Sequence, residues 1–298
     1  MNEVFLSKAS TADYRMISAV GAETTQITRE NRKSSRVWRN ICTVLFCICV
    51  AFASCDKSTN DDNGNDNGNG NGDSNGIVKL VETIIMERNN VKMHFEYDNQ
   101  NRISKVQGYY HGANLSSMTT LEYNSVGDLV KVVWIYPANP EYNGETYFVR
   151  NGNIITESYS SNIYTLNNDG YLIKLEEGYY ESIFQYQGGN MIKWTTVEKR
   201  EDGGKGYHST IEFAHDNKKS PFYHCKTPIW YLLYSFNLDP EFGIRNNITE
   251  MKMDEDGDKY GYKYVYIYDS DGYATKQTST GYGENSNGNT YVTTFIYK

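Results

Sequence analysis

Phe95-Glu96-Tyr97-Asp98-Asn99-Gln100-Asn101-Arg102-Ile103 closes one run of alternating apolar residues, turns on polar ones and opens another run. Val91, Met93, Phe95 and Tyr97 occupy every second position of the first run, the pattern of a strand with one buried face. The stretch is echoed by Leu121-Glu122-Tyr123-Asn124-Ser125-Val126-Gly127-Asp128-Leu129 and by Tyr164-Thr165-Leu166-Asn167-Asn168-Asp169-Gly170-Tyr171-Leu172. Phe184-Gln185-Tyr186-Gln187-Gly188-Gly189-Asn190-Met191 and Tyr266-Ile267-Tyr268-Asp269-Ser270-Asp271-Gly272-Tyr273 follow, and Phe295-Ile296-Tyr297 is a closing half-copy. Each unit is a strand ending in an aromatic, a polar turn, and a strand that starts apolar. One hairpin is barely stable in water, so the units must lie side by side to bury their aromatic face.

The same alternation runs through Tyr262, Tyr264, Tyr266 and Tyr268, through Thr119, Leu121 and Tyr123, and through Ser209, Ile211 and Phe213. Turn pairs fall between such runs: Asn151-Gly152, Asp169-Gly170, Gly188-Gly189, Asp202-Gly203 and Asp271-Gly272. The expectation is an all-β domain over 77–298, an antiparallel meander of about sixteen short strands. One segment departs from period two. Thr227-Pro228 supplies a cap and a proline at the first helical position, and Ile229, Leu232, Leu233 and Phe236 then share one helical face. This predicts a short helix near 228–237, packed on the sheet or closing one end of it.

The hairpin units resemble the Tyr-Asp repeat proteins. The order Ile211-Glu212-Phe213-Ala214-His215-Asp216-Asn217 with Ser220-Pro221-Phe222, then Asn246-Asn247-Ile248-Thr249, then Tyr268-Asp269-Ser270-Asp271-Gly272-Tyr273 is similar to uncharacterised bacterial lipoproteins described as having a porin-like fold. That resemblance covers roughly 77–298 and implies a strongly curved or barrel-like antiparallel sheet. It carries no catalytic residues to transfer.

Ahead of the domain, Arg29, Arg32, Lys33, Arg36 and Arg39 lead into the thirteen-residue apolar run Ile41–Ala53. A basic segment before so short an apolar one is a secretory signal rather than a membrane span. The run ends Phe52-Ala53-Ser54-Cys55, which resembles a bacterial lipobox, although Phe52 stands where that family usually has an aliphatic residue. The reading is a signal peptide over 1–54, started at Met1 or Met16, with Cys55 lipidated as the membrane anchor. Two or more acyl chains are what make such an anchor durable. Residues 55–76 continue as an Asn/Gly/Asp tether whose r.m.s. reach is on the order of 25 Å. Asp56, Asp61 and Asp62 resemble the export signal of surface lipoproteins in Bacteroides-type bacteria; a plain spacer on a periplasm-facing lipoprotein is the alternative. The expected location is the outer membrane, exposed at the cell surface. Cys42, Cys47 and Cys49 leave with the signal, so Cys225 remains as a lone structural thiol.

Removing the seven basic and four acidic residues of 1–54 takes the net charge from −8 to −11. That acidity argues against nucleic acid as a partner. No catalytic constellation, metal set or cofactor motif stands out. Asp254-Glu255-Asp256-Gly257-Asp258 lacks the EF-hand spacing and reads as a hairpin turn. The five histidines share no metal spacing, and His94 is expected to face outward on its strand. The remaining signal is tyrosine, 27 in the chain and 26 beyond Tyr14. Most suit cross-strand ladders. Those nearest loops or strand ends, Tyr109, Tyr110, Trp134, Tyr136, Tyr179 and Tyr180, together with Trp230 beside the helix, are the candidate ligand-binding subset. The functional expectation is a monomeric, non-catalytic surface binding or scaffold lipoprotein with a glycan or protein ligand. The alternative is a glycan- or peptide-degrading enzyme with carboxylates assembled by the fold.

Overall fold

The computed structural model describes residues 77–110, 114–200, 206–234, 242–283 and 290–298. The signal peptide, Cys55, the tether, the Asp202-Gly203 turn and Phe236 lie outside the described residues.

Among the described residues there are sixteen strands. The first eight are β1 (Val81–Met86), β2 (Val91–Tyr97), β3 (Ile103–Tyr110), β4 (Leu115–Tyr123), β5 (Leu129–Ile135), β6 (Gly144–Asn151), β7 (Ile154–Glu157) and β8 (Ile163–Leu166). The rest are β9 (Leu172–Glu177), β10 (Tyr180–Gln187), β11 (Asn190–Glu198), β12 (His208–Lys219), β13 (Asn246–Glu255), β14 (Asp258–Tyr268), β15 (Ala274–Gly283) and β16 (Thr290–Tyr297). Each pairs antiparallel with its sequence neighbours, and β1 pairs with β16, so the meander closes into a barrel with no free edge. The all-β expectation holds, and the curvature resolves into full closure.

The repeat has a local cause. In each of four turns an Asp or Asn side chain accepts two backbone N–H groups, from residues two and four positions on. Asp98 Oδ1 takes Gln100 and Arg102 at 2.9 Å, and Asn124 Oδ1 takes Val126 and Asp128 at 3.1 and 2.9 Å. Asn167 takes Asp169 and Tyr171, and Asp269 takes Asp271 and Tyr273. The residue three positions on adopts positive φ, which is why Asn101, Gly127, Gly170 and Gly272 stand there. The strand before each turn also carries a register shift, as between Glu96 and Tyr97 or Glu122 and Tyr123. These bulges increase the local twist that curls the sheet.

An antiparallel meander places alternate connections at opposite ends. The repeat turns, the chain entry at Ile77 and the exit at Lys298 all fall at one end, here called the root end. The hairpins after β1, β3, β5 and the other odd strands form the far end.

The root end is filled. The connection from β12 to β13 folds inward and contains a six-residue helix, α1 (Ile229–Tyr234). Phe222 meets Phe95 of β2 edge-on at 5.6 Å, and Phe242 meets Phe295 of β16 at 5.7 Å. Thr227 Oγ1 accepts the Ile103 N–H at 2.7 Å. Trp230 lies 5.1 Å from Phe148 of β6 and 5.2 Å from Tyr164 of β8. One segment thus touches strands from β16 round to β8. Trp230, Tyr231 and Leu232 are all buried, with Leu233 packed at their edge. The expected single apolar face is corrected here: a helix seated inside a barrel mouth buries most of its circumference, not one stripe.

The outer wall is polar and ion-paired. Lys105 meets Glu96 at 2.5 Å, Lys131 meets Glu145 at 2.8 Å, and Lys174 and Lys199 share Glu176 and Glu181 at 2.8 to 3.1 Å. A membrane-spanning barrel needs an outward apolar band about 25 Å tall, with polar groups inside. This barrel has its hydrophobic core within and its ion pairs without, so its wall lacks the apolar band of a membrane-spanning barrel. No described helix is long and apolar enough to cross a membrane.

Candidate functional site

Six of the seven aromatic candidates fall at the far end. Tyr109 and Tyr110 end β3, Trp134 lies in the last turn of pleat of β5 with Tyr136 just beyond it, and Tyr179 and Tyr180 stand at the hairpin between β9 and β10. Trp230 is the exception. It sits in the root-end plug, 3% exposed, with Phe148 and Tyr164 against it.

Trp134 faces the barrel interior opposite Gly144, and its ring lies across that glycine. A Cβ built on Gly144 would come 2.8 Å from the indole, so the sequence needs glycine there for the ring to lie flat. Tyr136 is held by a hydrogen bond from its N–H to Asn143 Oδ1 at 2.7 Å, which closes the 136–143 loop. Tyr110 and Tyr179 are 51% and 68% exposed at the rim. Tyr109 faces outward with the Lys92 ammonium 5.2 Å over its ring.

Tyr180 faces inward between two carboxylates, since its register partners are Glu177 on β9 and Glu198 on β11. Glu198 also accepts the Tyr207 N–H at 2.9 Å. Below them the wall turns to small hydroxyls: Thr146, Ser182, Thr196, Ser209, Ser279 and Thr293 are buried, and Ser182 and Thr196 share a hydrogen bond at 2.8 Å. Glu157 is fixed by four donors, Thr146, Ser160, Asn162 and Tyr164, at 3.0 to 3.2 Å. Burial raises the Tyr164 hydroxyl above the ordinary phenol range, and the Glu157 charge adds to it. Across the same end, the Arg88 guanidinium covers the Tyr291 ring at 4.4 Å. The two halves of the interior therefore differ: apolar and plugged at the root, hydroxyl- and carboxylate-lined at the far end.

Such a surface offers aromatic faces for stacking beside acceptors and hydroxyls for hydrogen bonding. Among the described residues, no three His, Cys, Asp or Glu side chains gather as a metal set. Asp254 Oδ1 accepts the Gly257 N–H at 3.0 Å, and Asp256 and Gly257 take positive φ, so the acidic stretch forms a tight hairpin turn. His94 faces outward beside Thr83. Cys225 lies near Tyr97 and Tyr123, where burial pushes the thiol up and disfavours the reactive thiolate.

Glu177 and Glu198 escaped sequence reading, although a signal was present. Once the repeat turns are assigned to one end, every second connection must lie at the other, and inward positions near those connections can be counted off.

No family model matches this chain, and no curated protein matches it. Among solved structures it is similar to a porin-like protein from Bacteroides uniformis, at 16% identity and a TM-score of 0.44, over 74% of this chain and 95% of that one. A porin-like protein from Bacteroides vulgatus is matched at 9% identity and a TM-score of 0.37, over 74% of this chain and 99% of that one.

Proposed function

We propose that this protein is an exported lipoprotein, anchored at the outer membrane through Cys55, whose far barrel end is a non-catalytic binding surface for a glycan or a protein. The observation that carries this reading is the segregation of the two ends. The tether joins the domain at the plugged root end, and the aromatic rim of Tyr110, Trp134, Tyr136, Tyr179 and Tyr180 lies at the other. A domain held by its root keeps that rim clear of its anchor. Tyr and Trp rings stack on sugar faces, and the hydroxyl and carboxylate lining below them suits a polyhydroxylated ligand.

The anchor is tested by growing cells with labelled fatty acid. Cys55→Ser should abolish labelling and move the protein to the soluble fraction; retained label rejects the anchor. The binding surface is tested with the chain from residue 55 onward, titrated with surface polysaccharides by calorimetry. Trp134→Ala and Tyr180→Ala should each weaken a ligand that binds the parent, with melting little changed. A ligand indifferent to both binds elsewhere.

A second reading, hydrolysis of the bound glycan or peptide, has one specific feature behind it: Glu177 and Glu198 flank Tyr180 on the inner wall. Two carboxylates facing a bound sugar are what glycoside hydrolysis needs. Product release that stops in Glu177→Gln or Glu198→Gln would favour this reading over simple binding.

A further inference from the structure

The outward face of β14, β15 and β16 breaks the charge pattern of the wall. Along β2–β6 and β9–β12, Lys105, Lys131, Lys174, Lys193 and Lys199 each meet a carboxylate, while Lys92 lies over the Tyr109 ring. Here the outward Lys263 stands opposite Glu250, a carboxylate that Lys252 already meets at 3.1 Å, and rests 5.8 Å from the Tyr282 ring, while Lys276 stands between Ile267 and Thr294, so lysines outnumber carboxylates. Around them lie Val265, Ile267 and Ile296, 55%, 59% and 44% exposed. Register places Ile267 beside Lys276 and Lys276 beside Thr294, with Val265 beside Thr278 and Thr278 beside Val292. At about 4.8 Å between strands this is one continuous apolar and basic patch. It is not isolated from the tether. Leu80 and Lys298 exchange backbone hydrogen bonds at 3.4 and 3.0 Å, so the exposed Ile77 and Val78 arrive at the root of the same face.

We propose that this face is the one the barrel lays against an anionic lipid surface, with Lys263 and Lys276 among the headgroup charges and Val265, Ile267 and Ile296 entering the headgroup layer. The chain is acidic overall and would be repelled by such a membrane, whereas on this face Lys252, Lys263 and Lys276 outnumber Glu250 beside the exposed Val265, Ile267 and Ile296. The choice of a lipid surface as occupant rests on the Cys55 anchor proposed above, which would keep the root of β1 within roughly 25 Å of the bilayer. Docking on this side turns the barrel axis along the membrane and leaves the far-end rim open at its side.

The experiment uses the chain from residue 55 onward with Cys55→Ser, which keeps all sixteen strands and the plug and needs no lipid of its own. It is sedimented with vesicles of phosphatidylcholine alone or mixed with phosphatidylglycerol. Binding is expected only to the anionic vesicles, falling as salt rises. Lys263→Glu/Lys276→Glu should lower it by about tenfold or more, and Ile267→Ser should lower it further, each variant keeping the parent circular dichroism. Equal binding by parent and lysine variants, or no binding to anionic vesicles, overturns the proposal. A dimer abolished by Ile267→Ser, without vesicle binding, would make this face a contact between copies and overturns it as well. Because Cys55 is already Ser here, failure of this test is distinct from failure of the anchor, which is read from lipid labelling in cells.

Discussion

The hydroxyl of Tyr123 donates to the backbone carbonyl of Ile103 at 2.7 Å, twenty residues back and one strand across. The same bond recurs from Tyr97 to Val81, Tyr186 to Leu172 and Tyr297 to Ala274, at 2.6 to 2.9 Å. In each case the donor is the tyrosine before a turn or chain end, and the acceptor opens the preceding odd-numbered strand. Bulges leave ladder carbonyls unpaired, and these phenols satisfy them from inside the barrel. Burial raises all four hydroxyls above their ordinary range, so they remain donors at any physiological pH.

Replacing Tyr123 by Phe keeps the ring and removes the donor. The expected loss is about 0.5–1.5 kcal/mol, read as a lower urea midpoint. Tyr97→Phe, Tyr186→Phe and Tyr297→Phe should each cost a similar amount, and distant pairs such as Tyr123 and Tyr186 should add. An unchanged midpoint in the double variant would show that water replaces the phenol without cost.

The turn carboxylates predict an acid limb. Burial opposes the charge on Asp98, but the hydrogen bonds from Arg102 and Gln100 and the Arg102 charge outweigh it, holding the carboxyl below its usual value. For Asp269 burial is likewise outweighed, by Lys79 and the Tyr273 and Asp271 amides. A folded pKa below the unfolded one gives stability that is present above the unfolded value and is lost as pH falls through the folded one. Asp98→Asn/Asp269→Asn retains the side-chain acceptor that Asn124 and Asn167 already provide. The double variant should show a flatter stability profile below about pH 4 in urea titrations, starting from a somewhat lower value at neutrality. Asp98→Ala, lacking the acceptor, should cost about 1–3 kcal/mol near neutrality and less at low pH, where Asp98 itself is protonated.

His215 gives a separate, higher window. Its ring is inside the wall, and burial lowers its pKa from 6.5 to about 4, with Asp216 opposing that shift. Between those values the unfolded chain takes up a proton that the folded chain refuses, so stability falls as pH drops from about 6.5 to about 4 and levels off below. His215→Gln should remove that slope while leaving the carboxylate limb below it. Persistence of the slope would place the proton uptake on another group.

Hairpins were legible in the sequence because their cause is local: Asp98 and Arg102 are four residues apart, and so are Asn124 and Asp128. Ring closure was not, because Phe295 and Ile84 meet across almost the whole domain and only a half-copy at 295–297 hinted at a partner. The plug shows the same limit. Thr227-Pro228 announced a helix, but the pattern at 229–236 could not say that Trp230 would be enclosed by Phe148 and Tyr164, since both belong to strands more than sixty residues earlier. For the candidate site, proximity to loops marked the right aromatics; that they share one end followed only from the order of the strands.

The plug should therefore be part of the cooperative core. Leu232→Ala is expected to cost about 2–5 kcal/mol, and Trp230→Ala about 3–5 kcal/mol, because both side chains are buried and the closed barrel cannot collapse around the lost volume. Thermal melting followed by far-ultraviolet circular dichroism measures this. Wild-type melting in either variant would mean that the 220–245 connection unfolds separately from the strands.

Gly144→Ala probes the far end without removing any ligand-facing group. A methyl at 144 would stand 2.8 Å from the Trp134 indole, closer than real Cβ contacts allow, so the ring must swing off the strand. Gly144 is on β6 and joins its ladder through Trp134, so the backbone has little room to yield. Overpacking of this kind costs about 1–3 kcal/mol when the neighbour cannot move, and less when it turns into open space. Trp134 is only partly buried, so stability should fall by no more than about 1 kcal/mol while Trp134 emission shifts to the red. Trp194 packs on Phe184 and Trp230 on Phe148 and Tyr164, so neither should contribute to the shift, which Trp134→Phe in the same background would verify by abolishing it. If the ligand stacks on Trp134 in its present orientation, affinity should drop in Gly144→Ala nearly as far as in Trp134→Ala. An unshifted spectrum with full affinity would mean that β6, not the indole, gives way.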